Sequence, residues 1–496
     1  MSDTARRTPL ALELLVLALV PAALAWIVFA PGYSPDPDAG FHIGCARLYA
    51  TEGWIGSFPW LPFTALAEGF PNVYLGQHLL LAPLAALLEP GTAVLAGTFL
   101  LGTALALSLW LVLRRWGVRW AAAWTVLGLC ASSYSVAYLT SLKGGSTFYV
   151  LLPWFADALW SRSVRRTFLL AWLSVYVYVG ATILVPMALV LVVALGLWER
   201  RWPLGLVGAT LGGILCGMVL NPFWPGHWEH TARELGSVFL RTVPEIEAIR
   251  GGEWMQLEGK RIASIAGAPL AAWLAFLVLH LARGERAPVG AAAGATVALG
   301  LFAGGLFGGA KMLFLFLLLS ALFLPLLGRE LVVPRWLVAL ALALGCASAA
   351  WSVRERHAQS SGFPVPAEYR AMGEFLTRSS EPGELVLSAW DDFCGLFLFD
   401  RHNRYVAGFN VEFLHRTDPQ RFRAYYLLYE GEVKEPAKAL AKHFPGARFV
   451  LVRRVPRRPG EETLARTLAT DLAFDELDSP AETWRLFRLR NPARER

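Results

Sequence analysis

The chain has 496 residues, 55% of them hydrophobic and 17% charged, and its mean hydropathy is +0.46. That balance excludes an ordinary soluble globule and points to a membrane protein. The net charge of +7 would bring nucleic acid to mind in a soluble protein, but here the basic residues fall in short clusters between apolar stretches and report topology instead.

A helix needs about 20 apolar residues to cross the hydrocarbon core, and a charge at its centre costs roughly 2.5–3.5 kcal/mol on insertion scales. Uncharged stretches of that kind run over 14–33, 90–113, 121–142, 167–198, 202–228, 262–282, 287–310, 312–328 and 336–352. The 167–198 stretch is long enough for two short helices turning near Gly180, and 146–160 is interrupted only by Asp157. About eleven spans follow. Ala23-Leu24-Ala25 has the look of a small-residue cleavage site, but the apolar run before it exceeds an ordinary signal-peptide core, so the first span reads as an uncleaved anchor.

Arg6 and Arg7, Arg114, Arg115 and Arg119, Arg162, Arg165 and Arg166, Arg200 and Arg201, Arg283 and Arg286, and Arg329 and Arg335 make every second connection basic. The positive-inside rule then puts the N-terminus in the cytoplasm and the segments 33–90, 221–261 and everything after Trp351 outside. Residues 72–88 are apolar enough to span, yet a crossing there would carry Arg114 and Arg115 outside, so a helix lying at the membrane surface fits better. The five cysteines stand singly, without the spacing of a zinc site or a disulfide framework.

After Trp351 the composition changes: 21 of the 38 acidic residues lie beyond it, as a solvated domain requires. A transmembrane domain over 1–351, with outer loops 31–90 and 221–261, is therefore expected to precede an extracytoplasmic soluble α/β domain over 352–496. Alternation of apolar residues predicts strands at 384–390, 404–409, 447–453 and 484–489, and helices at 366–377, 419–430, 434–443 and 461–471.

Four places carry chemistry. Asp36, Asp38 and His42 crowd two carboxylates and an imidazole just past the first span, a grouping that can bind a divalent cation or hold an acceptor; the same residues also suit a helix start with Asp38 as its N-cap. Glu245, in Thr242-Val243-Pro244-Glu245, gives the second outer loop a carboxylate able to close over a substrate, or is simply part of a solvated loop. Lys311, at the outer end of a span, can neutralise a lipid phosphate or merely snorkel. Trp390 and Asp391 end a strand with an apolar wall and an acceptor, with Arg404 further on; a core Trp beside a turn is the plainer reading.

Taken in order, these pieces resemble the GT-C class of membrane glycosyltransferases, and particularly the catalytic subunit of oligosaccharyltransferase in its single-chain bacterial and archaeal forms. The run from Asp36 through His42 looks like that family's first outer-loop motif, Thr242 to Glu245 is similar to its Thr-Ile-x-Glu motif, and Ser388 to Phe393 looks like a degraded Trp-Trp-Asp-Tyr-Gly motif in which Trp390 and Asp391 match.

The resemblance implies catalytic roles for Asp38, Asp36 and Glu245, with Asp38 and Glu245 as ligands of a divalent metal (Mg or Mn), and acceptor recognition by Trp390 and Asp391. His42, Lys311 and Arg404 are the further candidates for substrate contact. The family also carries carboxylates in the outer loop after the third span, where this chain has Leu142-Lys143-Gly144-Gly145-Ser146-Thr147, so half of a metal site is missing.

The expected function is transfer of a sugar or glycan from a polyprenyl (di)phosphate donor to a protein, lipid or polysaccharide acceptor on the outer face of the cell (inner) membrane. The alternative is a non-enzymatic polytopic protein, either a transporter or flippase of lipid-linked glycans or an inactive cell-envelope scaffold. Transporters place polar residues at mid-membrane and show internal repeats, neither of which is evident here.

Overall fold

The structure is a computed structural model that describes residues 8–33, 35–130, 132–240, 259–282, 298, 310–330, 335–359, 364–456 and 459–490. It divides into two compact units. The first comprises Met1–Tyr33, Val73–Gln77 and Leu95–Ser360, and the second Ser34–Asn72, His78–Val94 and Ser361–Arg496.

The first unit is helical. Among the described residues three helices are long and apolar enough to cross a membrane, Leu10–Val28, Pro90–Arg115 and Val179–Leu197, and a bent pair, Ala121–Cys130 with Ser133–Leu139, adds a fourth if it is one span. Leu204–Val219, Arg261–Ala275 and Met312–Leu326 are shorter apolar helices of the same unit. The stretch 167–198 breaks where a turn is expected: one helix ends at Val177, a 3-10 turn covers Val179–Ile183, and a second helix starts at Leu184. Most of the 287–310 stretch lies outside the described residues.

Two buried carboxylates of this unit have partners among the described residues. Asp157, 1% exposed, accepts a hydrogen bond from Trp116 Nε1 at 2.9 Å and forms ion pairs with Arg166 and, at 3.3 Å, with Arg115. Glu13 accepts from Trp110 Nε1 at 2.9 Å and from the backbone N–H of Ala122 at 2.7 Å. Burying a carboxylate is tolerable only with such partners. Gly213 and Gly217, four residues apart, let Leu204–Val219 approach the backbone of Val164–Val177, the small-residue packing that helices use where no hydrophobic effect drives them together.

The second unit is built on a five-stranded mixed sheet of order β2-β1-β3-β5-β4, with β1 Leu385–Leu387, β2 Arg404–Tyr405, β3 Ala447–Arg453, β4 Phe474–Leu477 and β5 Trp484–Leu489. β1 runs parallel to β2 and β3, while β5 is antiparallel to β3 and β4. The predicted β3 and β5 keep their bounds. The two expected strands at 384–390 and 404–409 are shorter, because the chain turns at Ala389–Asp392 and Phe409 adopts φ 61° beyond the end of β2. Helices Pro366–Ser379, Pro419–Tyr429, Pro436–His443 and Pro459–Thr470 stand where helices are predicted; Phe393–Phe399 and Glu412–Thr417 are additional.

The segment 35–72 belongs to this unit and closes it. The carbonyl of Trp60 accepts from the Tyr405 N–H at 2.8 Å, and Trp60 Nε1 donates to the carbonyl of Arg401 at 3.0 Å. The edge strand β2 is thereby covered. The apolar stretch 72–88 forms the helix Leu75–Leu87, whose 13 residues rise about 20 Å, short of the ~30 Å hydrocarbon core. The division between the units runs through this helix.

Candidate functional site

The helix Asp38–Thr51 begins at Asp38 itself, with Pro37 at the cap position. Asp36 takes the capping part instead: its Oδ1 accepts from the Asp38 N–H at 3.2 Å. The helix-start reading puts Asp38 at the cap position; the helix instead starts one residue earlier, with Pro37 there. Both carboxylates are partly exposed, as a group that meets substrate must be.

Gly40 and Gly44 decide where this helix sits. A Cβ on Gly40 would fall 2.3 Å from the carbonyl oxygen of Cys394, and one on Gly44 would fall 2.7 Å from the Phe397 ring. The two glycines lie on one face of the helix, four residues apart, and let Phe393–Phe399 pack against it with almost no gap. Cys394 lies two residues after Asp392, the last residue of the turn Trp390-Asp391-Asp392, so this packing draws the Asp36–Asp38 segment towards that turn. The electrostatics report the same proximity: burial pushes the Cys394 thiol well above its usual range, and the charges of Asp38, Asp36 and Asp391 push it further.

The turn itself is anchored through Asp392. Asp392, 1% exposed, accepts from Arg453 Nε at 3.1 Å, from Arg453 Nη2, from Trp484 Nε1 at 3.0 Å and from the Tyr369 hydroxyl at 3.4 Å. Burial raises the Asp392 carboxyl, against the pull of Arg453. Burial would likewise lower the Arg453 guanidinium, but Asp392 and Asp391 outweigh it and hold it above its ordinary value. The preceding Ser388 carbonyl accepts from the Tyr425 hydroxyl at 3.0 Å. Asp392 is thus an anchor, while Asp391 stays partly exposed, 3.8 Å from Arg453. The Trp390 Nε1–H is buried and has no hydrogen-bond partner among the described residues.

Beneath Asp38, one turn along the same face, His42 is fully buried; its Nδ1 lies 2.8 Å from Nε2 of His78. Phe41 stacks on Phe409 with ring centroids 4.0 Å apart. Phe409, held in the left-handed region that a bulky side chain seldom adopts, is one of the strained positions that cluster at functional sites.

Of the residues singled out from sequence, Asp36, Asp38 and Asp391 all act electrostatically on Cys394, His42 lies one turn along the helix from Asp38, and Trp390 precedes Asp391 in the turn. Arg404 does not join them: it pairs with Leu385 at the start of β1, the end away from Trp390, and is exposed. Lys311 lies in the first turn of Ala310–Glu330, in the other unit. Glu245 lies outside the described residues. His78, Asn72 and Arg453 were missed. Gly40 and Gly44 carried a legible signal, the small-xxx-small spacing; the others are distant in sequence and had none.

The described residues do not supply a metal donor set. No group of three or more His, Cys, Asp or Glu side chains among them is placed to hold an ion. The loop 142–147 offers Lys143, whose ammonium lies 6.0 Å from the centre of the Tyr138 ring.

The architecture, a bundle of apolar helices with an α/β unit, is shared with solved membrane glycosyltransferases. In particular, the chain is similar to the archaeal oligosaccharyltransferase AglB from Archaeoglobus fulgidus, solved with an inhibitory peptide and a dolichol-phosphate: 14% identity, 89% of this chain, 69% of that one, TM-score 0.60. It is similar over nearly its whole length to ArnT from Cupriavidus metallidurans bound to undecaprenyl phosphate: 14% identity, 97% of this chain, 98% of that one, TM-score 0.60. A complex of the Archaeoglobus fulgidus enzyme with Zn and sulfate matches at 13% identity, 88% and 68% coverage and TM-score 0.53. No family model matches the sequence, and no curated protein does. At these identities the likeness is one of fold.

Proposed function

We propose that the chain is a membrane glycosyltransferase that moves a sugar or glycan from a polyprenyl phosphate or diphosphate donor to an acceptor at the outer face of the inner membrane. The observation that carries the reading is the Gly40–Cys394 packing, which sets the Asp36–Asp38 carboxylates beside the Trp390-Asp391 turn within a fold shared with enzymes solved on dolichol-phosphate and undecaprenyl phosphate. A non-enzymatic carrier or scaffold gives no reason for that juxtaposition.

In this reading Asp38 takes the proton of the acceptor nucleophile as it attacks the anomeric carbon. The bond from that carbon to the donor phosphate breaks, and the lipid phosphate leaves. Trp390 Nε1–H and the Asp391 carboxylate orient the acceptor, a donor and an acceptor of hydrogen bonds side by side. Lys311, at headgroup depth, neutralises the phosphate charge on the leaving lipid. Glu245, in the loop that the sequence puts outside, is the further carboxylate that the family resemblance implies.

The topology that goes with this has about eleven spans, a transmembrane domain over 1–351, a cytoplasmic N-terminus and an extracytoplasmic domain over 352–496, as the alternating basic connections require. The test is transfer from a total polyprenyl-linked lipid extract by purified protein, for wild type and Asp38→Ala, with and without chelator. Transfer lost in Asp38→Ala supports the assignment, and chelator sensitivity would bring the metal back. Wild-type protein without transfer, across donors and acceptors of the native envelope, refutes it.

A further inference from the structure

We infer that two arginine-bearing turns of the helical unit, 161–163 and 200–203, together form a binding site for the headgroup of an acidic phospholipid. The site requires that the chain lie in a membrane; it does not depend on the proposed transfer reaction.

The first turn joins the helices Ser146–Trp160 and Val164–Val177, the second the helices Leu184–Glu199 and Leu204–Val219. They meet directly. Arg162 Nη2 lies 2.5 Å from Glu199 Oε2, and a Cβ on Gly205 would fall 3.5 Å from Val164 Cγ2. Asp157, in the last turn of its helix, draws Arg166 and Arg115 to the same place. Six arginines, 115, 162, 165, 166, 200 and 201, thus share this end of the unit with two carboxylates, Asp157 and Glu199, an excess of four positive charges. Arg165, Arg200 and Arg201 are exposed and form no ion pair among the described residues.

The backbone keeps charge here against its own preference. Arg162 and Arg200 both sit in the left-handed region, at φ 53° and 55°, where glycine or asparagine ends a helix at lower cost. Beside the charges lie apolar side chains that the fold leaves open: Val164, Leu197, Trp202 and Leu204 are 51% to 71% exposed. Trp202 folds back along the preceding helix, since a Cβ on Gly196 would fall 2.4 Å from its Cδ2. Guanidinium forks grip phosphate oxygens in pairs, and basic groups bordered by an apolar rim fit a molecule with an anionic head and hydrocarbon tails. A free phosphate would engage the arginines and leave the rim without a purpose.

The test is native mass spectrometry of the full-length protein released from detergent micelles, with dioleoyl phosphatidylglycerol or dioleoyl phosphatidylcholine added. Wild type should retain phosphatidylglycerol over phosphatidylcholine. An arginine near the membrane surface contributes about fivefold to anionic-lipid binding, so the triple change Arg165→Gln, Arg200→Gln, Arg201→Gln should weaken phosphatidylglycerol binding on the order of 100-fold and leave phosphatidylcholine unaffected. None of the three has an ion-pair partner to lose, so the melting temperature should hold. Glu199→Gln removes a negative charge and releases Arg162, so it should tighten phosphatidylglycerol binding by about fivefold, the opposite of what a merely loosened turn would do.

The control carries Arg378→Gln, Arg423→Gln and Arg454→Gln, the same loss of charge at exposed positions of the second unit, and should bind as wild type does. Equal retention of the two lipids by wild type, phosphatidylglycerol binding kept by the triple variant, or equal weakening in the control overturns the site. Displacement of phosphatidylglycerol by inorganic phosphate assigns the arginines to a soluble anion and overturns the lipid.

Discussion

Replacing Gly40 by alanine adds one methyl group to the closest approach in the candidate site. Its Cβ would lie 2.3 Å from the Cys394 carbonyl oxygen, 2.8 Å from the Cys394 carbonyl carbon and 3.0 Å from Gly395 Cα, all backbone atoms with no rotamer to yield. Restoring an ordinary contact of about 3.4 Å requires the helix Asp38–Thr51 to move by roughly 1 Å from the turn that bears Trp390 and Asp391. Overpacking of this kind costs about 1–3 kcal/mol of stability. Misplacing a reacting group by about 1 Å costs on the order of 100-fold in rate. Gly40→Ala should therefore remain folded in detergent, with a modestly lower melting temperature, and lose about 100-fold in glycan transfer. Gly69→Ala, where a Cβ meets nothing within 4 Å, is the control and should keep wild-type transfer. Transfer by Gly40→Ala within twofold of the control would refute the claim that this packing sets the site.

Three further outcomes follow from the same geometry. Arg453→Met leaves the Asp392 carboxylate buried without its ion-pair partner and should destabilise the second unit by about 3–5 kcal/mol, read as protease sensitivity of the C-terminal region, while the double change with Asp392→Leu should recover much of that loss. His78, with a folded-state pKa of about 3 against an ordinary 6.5, binds its proton more readily in the unfolded chain; stability from this group is complete above pH 6.5 and falls as pH drops towards 3, by roughly 2 kcal/mol at pH 5, so the pH dependence of thermal unfolding should flatten in His78→Gln. Lys311→Gln should raise KM for the polyprenyl donor and leave KM for the acceptor unchanged in steady-state assays.

How much of this was legible in the sequence depends on range. Local patterns were read well: β3 and β5 came from apolar alternation with their bounds intact, and the break at Val177–Leu184 from the length of the apolar run around Gly180. Phe393–Phe399 was assigned to no element, because seven residues with no charge, Phe-Cys-Gly-Leu-Phe-Leu-Phe, show neither a helical nor a strand period. β4, Phe-Asp-Glu-Leu, is an edge strand with two acidic residues, which hides it among loops.

The site divides in the same way. Asp36, Asp38, His42, Trp390 and Asp391 stood out by type and by motif. That Asp392 is the anchored member of the Asp-Asp pair depends on Arg453 and Trp484, 61 and 92 residues away, which no local pattern announces. The same holds for His78, 36 residues from the His42 whose ring it meets.

The central claim is that the Asp38 segment and the Trp390-Asp391 turn work as one site, and a double-mutant cycle on transfer tests it most directly. Asp38→Asn and Asp391→Asn are each expected to reduce kcat/KM by at least tenfold, and the double variant to lose far less than the product of the two, because residues that act as a unit are not additive. Losses that simply multiply, or a single variant with wild-type transfer, would contradict the account.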